Sequence, residues 1–286
     1  MPRAIDMHVH LPTSSFLDGA IKPYRPSAEK FFRRSLSLQT TDEMARYYEE
    51  QDILGVLLAW DAETATGLPP LRNDEVADIV RRFPDQFIGF ASVDPWKGKR
   101  AVEEMDRAIS ELGLRGAKFH PGLQAFYPND CRFYPLYEKI GELGVPALFH
   151  TGTNALGAGV PGGMGIKMDH TRPIYLDHLA ADFPGLTIIG AHPAWPWHEE
   201  MLAILGHKGN VFMDLSGWSP KYIPQVVLNE ARRRMQDRIL FGSDYPFITP
   251  DRWLADFDRL DGFSPEIREK ILHDNAARVL KLKPAA

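Results

Sequence analysis

Eight short apolar runs alternate with helical patterns along this chain of 286 residues, and that alternation limits the folds open to it. The runs are rich in large and β-branched residues, as is typical of strands that are buried on both faces. Between them apolar residues recur at helical spacing, for example at Val102, Met105 and Ile109. Strands that alternate with helices predict a parallel sheet in an α/β protein. The predicted strands are 4–10, 53–60, 87–94, 114–121, 145–152, 186–195, 211–218 and 238–247.

Eight such units in a chain of this length predict a single (β/α)8 TIM barrel that forms one domain over 1–286. No linker rich in Gly and Ser, or in charge, divides the chain. An open doubly wound sheet is the alternative, but the dinucleotide-binding Gly-x-Gly-x-x-Gly turn does not follow the first run. Residues 11–38 are predicted to form a long loop after strand 1. A helix is predicted to begin at Thr40, because Glu43 completes a capping box.

Charge and cysteine content exclude several classes of function. The formal net charge is −5, which gives no general attraction to nucleic acid or to an anionic membrane. One cysteine forms no internal disulfide, and no run of about 20 apolar residues is present. We therefore expect a cytoplasmic protein that binds neither nucleic acid nor membranes.

Histidines and an aspartate fall at the ends of the predicted strands. His8 and His10 are two positions apart on one strand, so both side chains lie on the same side, about 7 Å apart. His150 and Asp244 end strands 5 and 8, and the carboxyl ends of barrel strands converge on one face. A divalent cation would stabilise these buried polar groups. The pattern predicts one metal ion on His8, His10, His150 and Asp244, with zinc expected first and manganese, iron or cobalt as other occupants.

A metal-bound water that attacks a carbonyl group is the chemistry that this ligand set favours. Asp244 is placed to take the proton of that water. His192, at the end of strand 6, is placed to orient the water or the substrate. The predicted catalytic residues are therefore Asp244 and His192.

Other side chains at the strand ends are predicted to bind the substrate. Lys118 and His120 lie on strand 4, and the aromatic residues Trp60, Trp195 and Trp218 would form walls around a flat or apolar group. Lys118 has three interpretations: a contact for a substrate carboxylate, an ion pair with a neighbour such as Asp94, or a carboxylated bridge to a second metal.

The predicted loop at 11–38 carries five basic residues against two acidic ones, which suits an anionic small-molecule substrate. The alternative is an ordinary solvated loop. Barrels of this kind are often homo-oligomers, so a homodimer or a higher homo-oligomer is compatible with the sequence.

Seven short segments, taken in order, resemble the amidohydrolase-related branch of the amidohydrolase superfamily. They are IDMHVH, GAKFHP, FHTGT, GAHPAWPW, DLSGW, LFGSDYPF and HDNAARVL, and the resemblance runs over 5–282. The branch includes aminocarboxymuconate-semialdehyde decarboxylase, γ-resorcylate decarboxylase and several hydrolases. The resemblance implies a TIM barrel with a catalytic metal on the four residues chosen above and His192 as a nearby acid or base.

Two reactions are compatible with this resemblance. In the first, a metal-dependent hydrolase attacks a carbonyl group of a small anionic substrate, for example an aromatic compound or a CoA-linked β-keto compound. In the second, a carboxy-lyase decarboxylates a hydroxybenzoate or muconate acid. The sequence favours hydrolysis, because the His-x-His entry favours an activated water and the basic loop suits a larger anionic substrate. Some decarboxylases of the branch also carry glutamate at the position of His8. Minor alternatives are a dinuclear oxygenase with carboxylated Lys118 and a barrel that only binds.

Overall fold

A computed structural model describes residues 2–282 and contains one sheet of eight parallel strands in chain order. Each strand pairs with the next one along the chain. The first and last strands are joined by backbone hydrogen bonds, since Met7 donates to the carbonyl of Phe241 and Asp244 donates to that of His8, both at 3.0 Å. The sheet therefore closes, and the predicted (β/α)8 barrel is confirmed.

The strands are shorter than the sequence predicts, most of all at the end of the chain. Residues 238–247 were expected in the last strand, but the strand there contains two residues. The strands are β1 Ala4–Val9, β2 Ile53–Leu58, β3 Phe87–Ser92, β4 Ala117–Phe119, β5 Ala147–His150, β6 Ile188–Ala191, β7 Val211–Asp214 and β8 Ile239–Leu240.

Helices follow the strands on the outside of the barrel. The capping box predicted at Thr40 and Glu43 is confirmed, with both reciprocal hydrogen bonds present. The α-helices are α1 Arg25–Phe32, α2 Thr41–Glu50, α3 Glu63–Thr66, α4 Asn73–Arg82, α5 Lys99–Ser110, α6 Pro121–Gln124, α7 Tyr134–Glu142, α8 Ile174–Asp182, α9 His198–His207, α10 Gln225–Ala231, α11 Pro250–Asp258, α12 Pro265–Glu269 and α13 Asn275–Val279. None of the helices in the described part of the chain has the length and hydrophobicity needed to cross a membrane.

The segment after β1 is not the long loop that the sequence predicts. It contains a π-helical turn at Ser15–Ala20 and then α1. Pro26 stands in the first turn of α1, where a missing backbone N–H costs nothing. Arg25 adds ion pairs to Asp18 at 2.8 Å and to Glu29 at 3.2 Å, which hold this turn together.

Apolar side chains fill the lower part of the barrel and leave its upper end polar. Leu54, Val56 and Leu58 alternate along β2 on the face that continues to Trp60, and all are buried. Helix α13 packs against the same apolar cluster through Ala276 and Val279. The packed interior fixes the positions of the strands, whose carboxyl ends then carry the polar residues.

Candidate metal centre and substrate cavity

One cavity opens at the carboxyl ends of the strands and is lined by most of the residues singled out in the sequence. Trp195 is not among its lining residues and is 44% exposed, so the expected wall at that position is absent. Trp195 packs beside Trp218 instead, with their rings 6.3 Å apart. The predicted site residues that do line the cavity are His8, His10, Trp60, Lys118, His120, His150, His192, Trp218 and Asp244.

His8, His10 and Asp244 lie together at the floor of the cavity. Each offers one ligand atom, and these atoms all lie within 4.8 Å of one another. Asp244 Oδ1 is 3.4 Å from His10 Nε2 and 3.6 Å from His8 Nε2. All three residues are buried. Two imidazoles and one carboxylate at this spacing are a donor set that suits zinc or manganese.

Asp214 and Ser216, at the end of β7, hold His8 in position. Asp214 Oδ2 lies 3.2 Å from His8 Nδ1, and a carboxylate only accepts, so the proton of His8 is on Nδ1. Asp214 Oδ1 accepts from the Ser216 backbone and hydroxyl and from the backbone of His192. The lone pair of His8 Nε2 is therefore directed toward Asp244, as a metal ligand requires. The sequence analysis assigned no role to Asp214 or Ser216.

His150 and His192 face each other across the cavity wall. His192 Nδ1 lies 3.0 Å from the Ser216 carbonyl and so carries a proton, which leaves a lone pair on His192 Nε2. His150 Nε2 lies 3.2 Å from the Thr153 carbonyl and carries its proton there. His150 Nδ1 and His192 Nε2 are then two lone pairs only 3.0 Å apart. A cation shared by these nitrogens removes the repulsion, so this pair also fits a bound metal.

His150 does not join His8, His10 and Asp244 in a common ligand group among the described residues. His192 instead joins His8 and Asp214 in a second such group. The assignment of His150 as the fourth ligand therefore stays a prediction.

Lys118 lies in the barrel interior with its Nζ atom 3.1 Å from His8 Nε2. It is 1% exposed, and burial lowers the pKa of its ammonium group to about 8. The ion pair with Asp94 that was one interpretation of this lysine is not formed. The Asp94 carboxylate accepts instead from the backbone amides of Thr64 and Trp96.

Burial and hydrogen bonding give this cluster the protonation states that a metal needs. Burial, and then the charge of Lys118, lower the pKa of His8 to about 3. Burial raises the pKa of Asp244, but the hydrogen bond from His10 and the nearby imidazoles outweigh it and lower the value to about 2. Neutral imidazoles and an ionised carboxylate are therefore present at neutral pH, ready to bind a cation.

The backbone is strained where the site is built. His192 and Asp244 both adopt left-handed conformations, with φ of 70° and 69°. Non-glycine residues in this region store strain and cluster at functional sites. Gly217, with φ of 72°, lies beside His192, and a Cβ atom added to Gly217 would be 2.8 Å from His192 Nδ1.

Aromatic side chains form the other walls of the cavity, and several come from the segment between β1 and α2. Phe16, Phe31 and Phe32 line it from that segment, and Phe32 stacks on Phe247 at 4.9 Å. The basic residues of the segment are not among the lining residues. The basic contact expected of residues 11–38 is therefore not made, and Lys118 is the positive charge in the cavity.

The closed barrel, with imidazoles and carboxylates gathered beneath an aromatic cavity at the strand ends, defines a (β/α)8-barrel enzyme. Comparison with known proteins gives the particular family. The chain belongs to the amidohydrolase family, whose model matches residues 5–282. The resemblance found in the sequence is confirmed.

Curated relatives and solved structures agree with this family. γ-Resorcylate decarboxylase of Polaromonas sp. strain JS666 is 24% identical over 301 residues, which covers 87% of this chain and 90% of that protein. An uncharacterised TIM-barrel protein of Bordetella bronchiseptica is 27% identical, with a TM-score of 0.83 and coverage of 97% of this chain and 98% of that one. Dihydroxybenzoic acid decarboxylase of Polaromonas sp. JS666, solved with manganese and the inhibitor 2-nitroresorcinol, is 23% identical, with a TM-score of 0.71 and coverage of 100% and 98%.

The named relatives include metal-dependent decarboxylases. They favour the carboxy-lyase alternative over the hydrolase that the sequence favoured. The hydrolase expectation depended on the His-x-His pair as a site for an activated water, on the basic residues of 11–38, and on His8 at a position where some decarboxylases carry glutamate. An imidazole and a carboxylate can both ligate the same cation, so that difference separates the two reactions poorly.

Proposed function

We propose that the protein is a metal-dependent decarboxylase that acts on a small aromatic carboxylic acid. The observation that carries this proposal is the cavity itself. It combines a candidate metal site, one buried ammonium group and walls of aromatic side chains. Relatives that span almost the whole chain decarboxylate acids of this class.

His8, His10 and Asp244 would hold the metal, with His150 as the proposed fourth ligand. When bound, the cation would supply positive charge that orients the anionic substrate and holds an oxygen beside its carboxylate in the ionised form, which keeps the ring electron-rich enough to take a proton. Zinc or manganese suits these ligands. Asp214 supports the site because it fixes the proton of His8 on Nδ1.

Lys118 would neutralise a substrate carboxylate at the floor of the cavity. With Asp214 and Asp244 ionised, a divalent metal and Lys118 bring the net charge of the buried cluster to +1. An anionic substrate would complete the balance, whereas a neutral one would leave a buried charge unpaired. The ring would lie between Phe32, Phe247 and Trp218, which exclude water from the reacting carbon.

Loss of CO2 requires one proton at the carbon that bears the carboxylate. His192 and Asp244 line the cavity and are the candidates to deliver it; each is unprotonated at its free atom, so it would first take up a proton from solvent and then pass it to the carbon. The proton adds to the ring carbon, the bond to the carboxylate breaks, and its electron pair returns to the ring. The Ser216 carbonyl holds the proton of His192 on Nδ1, so Nε2, which lies beside His150 Nδ1, is the nitrogen that would take up and pass on the proton.

The direct test is CO2 release by the purified protein after reconstitution with manganese or zinc, over hydroxybenzoates that include γ-resorcylate. Asp244→Asn should reduce the rate by orders of magnitude. Asp256→Asn is the matched control, because Asp256 is a buried aspartate that accepts from Ser219 outside the cavity. Cleavage of esters or lactones without CO2 release from any acid would refute the proposal in favour of hydrolysis. Two metal ions per chain would support the bridging interpretation of Lys118.

A further inference from the structure

The ring of His120 is held firmly at the end of β4. Its imidazole stacks on His150 with centroids 4.0 Å apart and planes 14° apart. Trp60 packs against it at 5.1 Å. His120 is 5% exposed and also begins helix α6, so neither its backbone nor its ring is free to turn.

One hydrogen bond decides which nitrogen of His120 carries the proton. The backbone amide of Leu123 lies 3.1 Å from His120 Nδ1 and can only donate, so Nδ1 must be the acceptor. A neutral imidazole then has its proton on Nε2. A ring protonated on both nitrogens could not accept this hydrogen bond, so the geometry itself corresponds to the neutral form. Within the described residues His120 makes its side-chain hydrogen bond through Nδ1, and the residue lines the cavity.

Two further donors on the cavity wall also have no acceptor in the described part of the molecule. They are the indole Nε1 of Trp60 and the amide Nδ2 of Asn154. A buried donor without a partner costs about 1–3 kcal/mol. Both of these atoms are buried beneath the wall, whereas His120 Nε2 is not among the buried atoms and is a donor that a ligand in the cavity can reach.

We infer that His120 donates a hydrogen bond from Nε2 to an oxygen substituent of the substrate ring other than the reacting carboxylate. His120 directly follows β4, two residues beyond Lys118, and both residues line the cavity. Lys118 lies beside His8 at the cavity floor, and His120 is displaced toward the mouth. A carboxylate held at the floor would thus leave a ring hydroxyl or phenolate to meet His120. This makes His120 a specificity-determining residue, and the inference rests on the proposed function.

The first test is the position of the proton. Two-bond nitrogen–proton correlation spectra of the zinc-loaded protein, assigned with the help of His120→Gln, should show the Nε2–H form of His120. A proton on Nδ1 overturns this inference and leaves the proposed function standing.

The second test compares binding of γ-resorcylate, which has two ring hydroxyls, with binding of benzoate, which has none. Calorimetric titration of zinc-loaded His120→Phe should show affinity for γ-resorcylate reduced about tenfold and affinity for benzoate unchanged. His120→Gln keeps a donor and should recover most of the loss. The matched control is His170→Phe, because His170 is equally buried and packs on Tyr127 outside the cavity.

The outcomes separate the two proposals. Equal loss for both acids would place His120 at the carboxylate or give it a purely structural role, and would overturn this inference alone. Unchanged affinity for γ-resorcylate in His120→Phe would do the same. If the unsubstituted protein binds neither acid, the proposed function fails, whatever the position of the proton.

Discussion

Replacement of Asp214 by asparagine should weaken metal binding without direct loss of a ligand. Oδ1 of Asp214 faces three donors, so the amide oxygen of asparagine would take that position. Its NH2 group would then face His8 Nδ1, and two donors would meet. His8 relieves this conflict when its proton moves to Nε2, which removes the lone pair that is directed at the metal. Loss of such a supporting partner typically costs 10–100-fold in metal affinity, about 1.4–2.7 kcal/mol.

The assay is competition for zinc between the protein and a chromophoric chelator of known affinity, with unfolding measured on the same samples. Asp256→Asn is again the control, since it removes a buried carboxylate but leaves His8 untouched. Both variants should lose stability, and only Asp214→Asn should lose zinc affinity. Wild-type affinity in a folded Asp214→Asn protein would refute the argument that Asp214 fixes the proton of His8.

Three other perturbations give distinct outcomes. Gly217→Ala would force a Cβ atom to 2.8 Å from His192 Nδ1, so activity should fall at least tenfold; Gly262→Ala, at a similar φ but on the surface, should reduce stability by about 1–2 kcal/mol with activity retained. Ser27→Ala removes the hydroxyl that accepts from the Gly157 amide at 2.7 Å, so limited proteolysis should cut the loop after β5 faster, while unchanged cleavage would contradict this role. Removal of metal by a chelator should lower the melting temperature, and free metal at 100 times its Kd should restore about 2.7 kcal/mol, whereas an unchanged transition would argue against a bound ion.

The overall fold was accessible from the sequence because apolar runs report burial directly. The residues at which the strands end could not be predicted in this way. Residues 239–247 are all buried and mostly apolar, as in a strand, but β8 ends at Leu240 and the chain then turns through the left-handed conformation of Asp244. The sequence pattern indicates that these residues are buried, but it does not indicate where the backbone changes direction. Residues 11–38 were wrongly predicted as loop because α1 has only eight residues, so its apolar residues Ala28, Phe31 and Phe32 form a pattern too short to be recognised as helical.

Part of the candidate site could be predicted from the sequence, because the carboxyl ends of the strands converge in a barrel. His8, His10 and Asp244 come together for that reason. The support of His8 by Asp214 and Ser216 was missed, because a hydrogen-bond partner across two strands leaves no spacing signal in the chain. Trp195 was misplaced for a similar reason, since a residue just beyond a strand can turn to either side of the rim.

The backbone hydrogen bonds that join the two ends of the sheet affect when the protein can acquire its metal site. Asp244 donates its backbone N–H to the carbonyl of His8, so the hydrogen bond that closes the sheet also joins two residues of the candidate metal site. These residues come from opposite ends of the chain. A nascent polypeptide therefore lacks a complete metal site until its last strand has left the ribosome, and a chain truncated before Asp244 would have neither a closed barrel nor a place to load the ion.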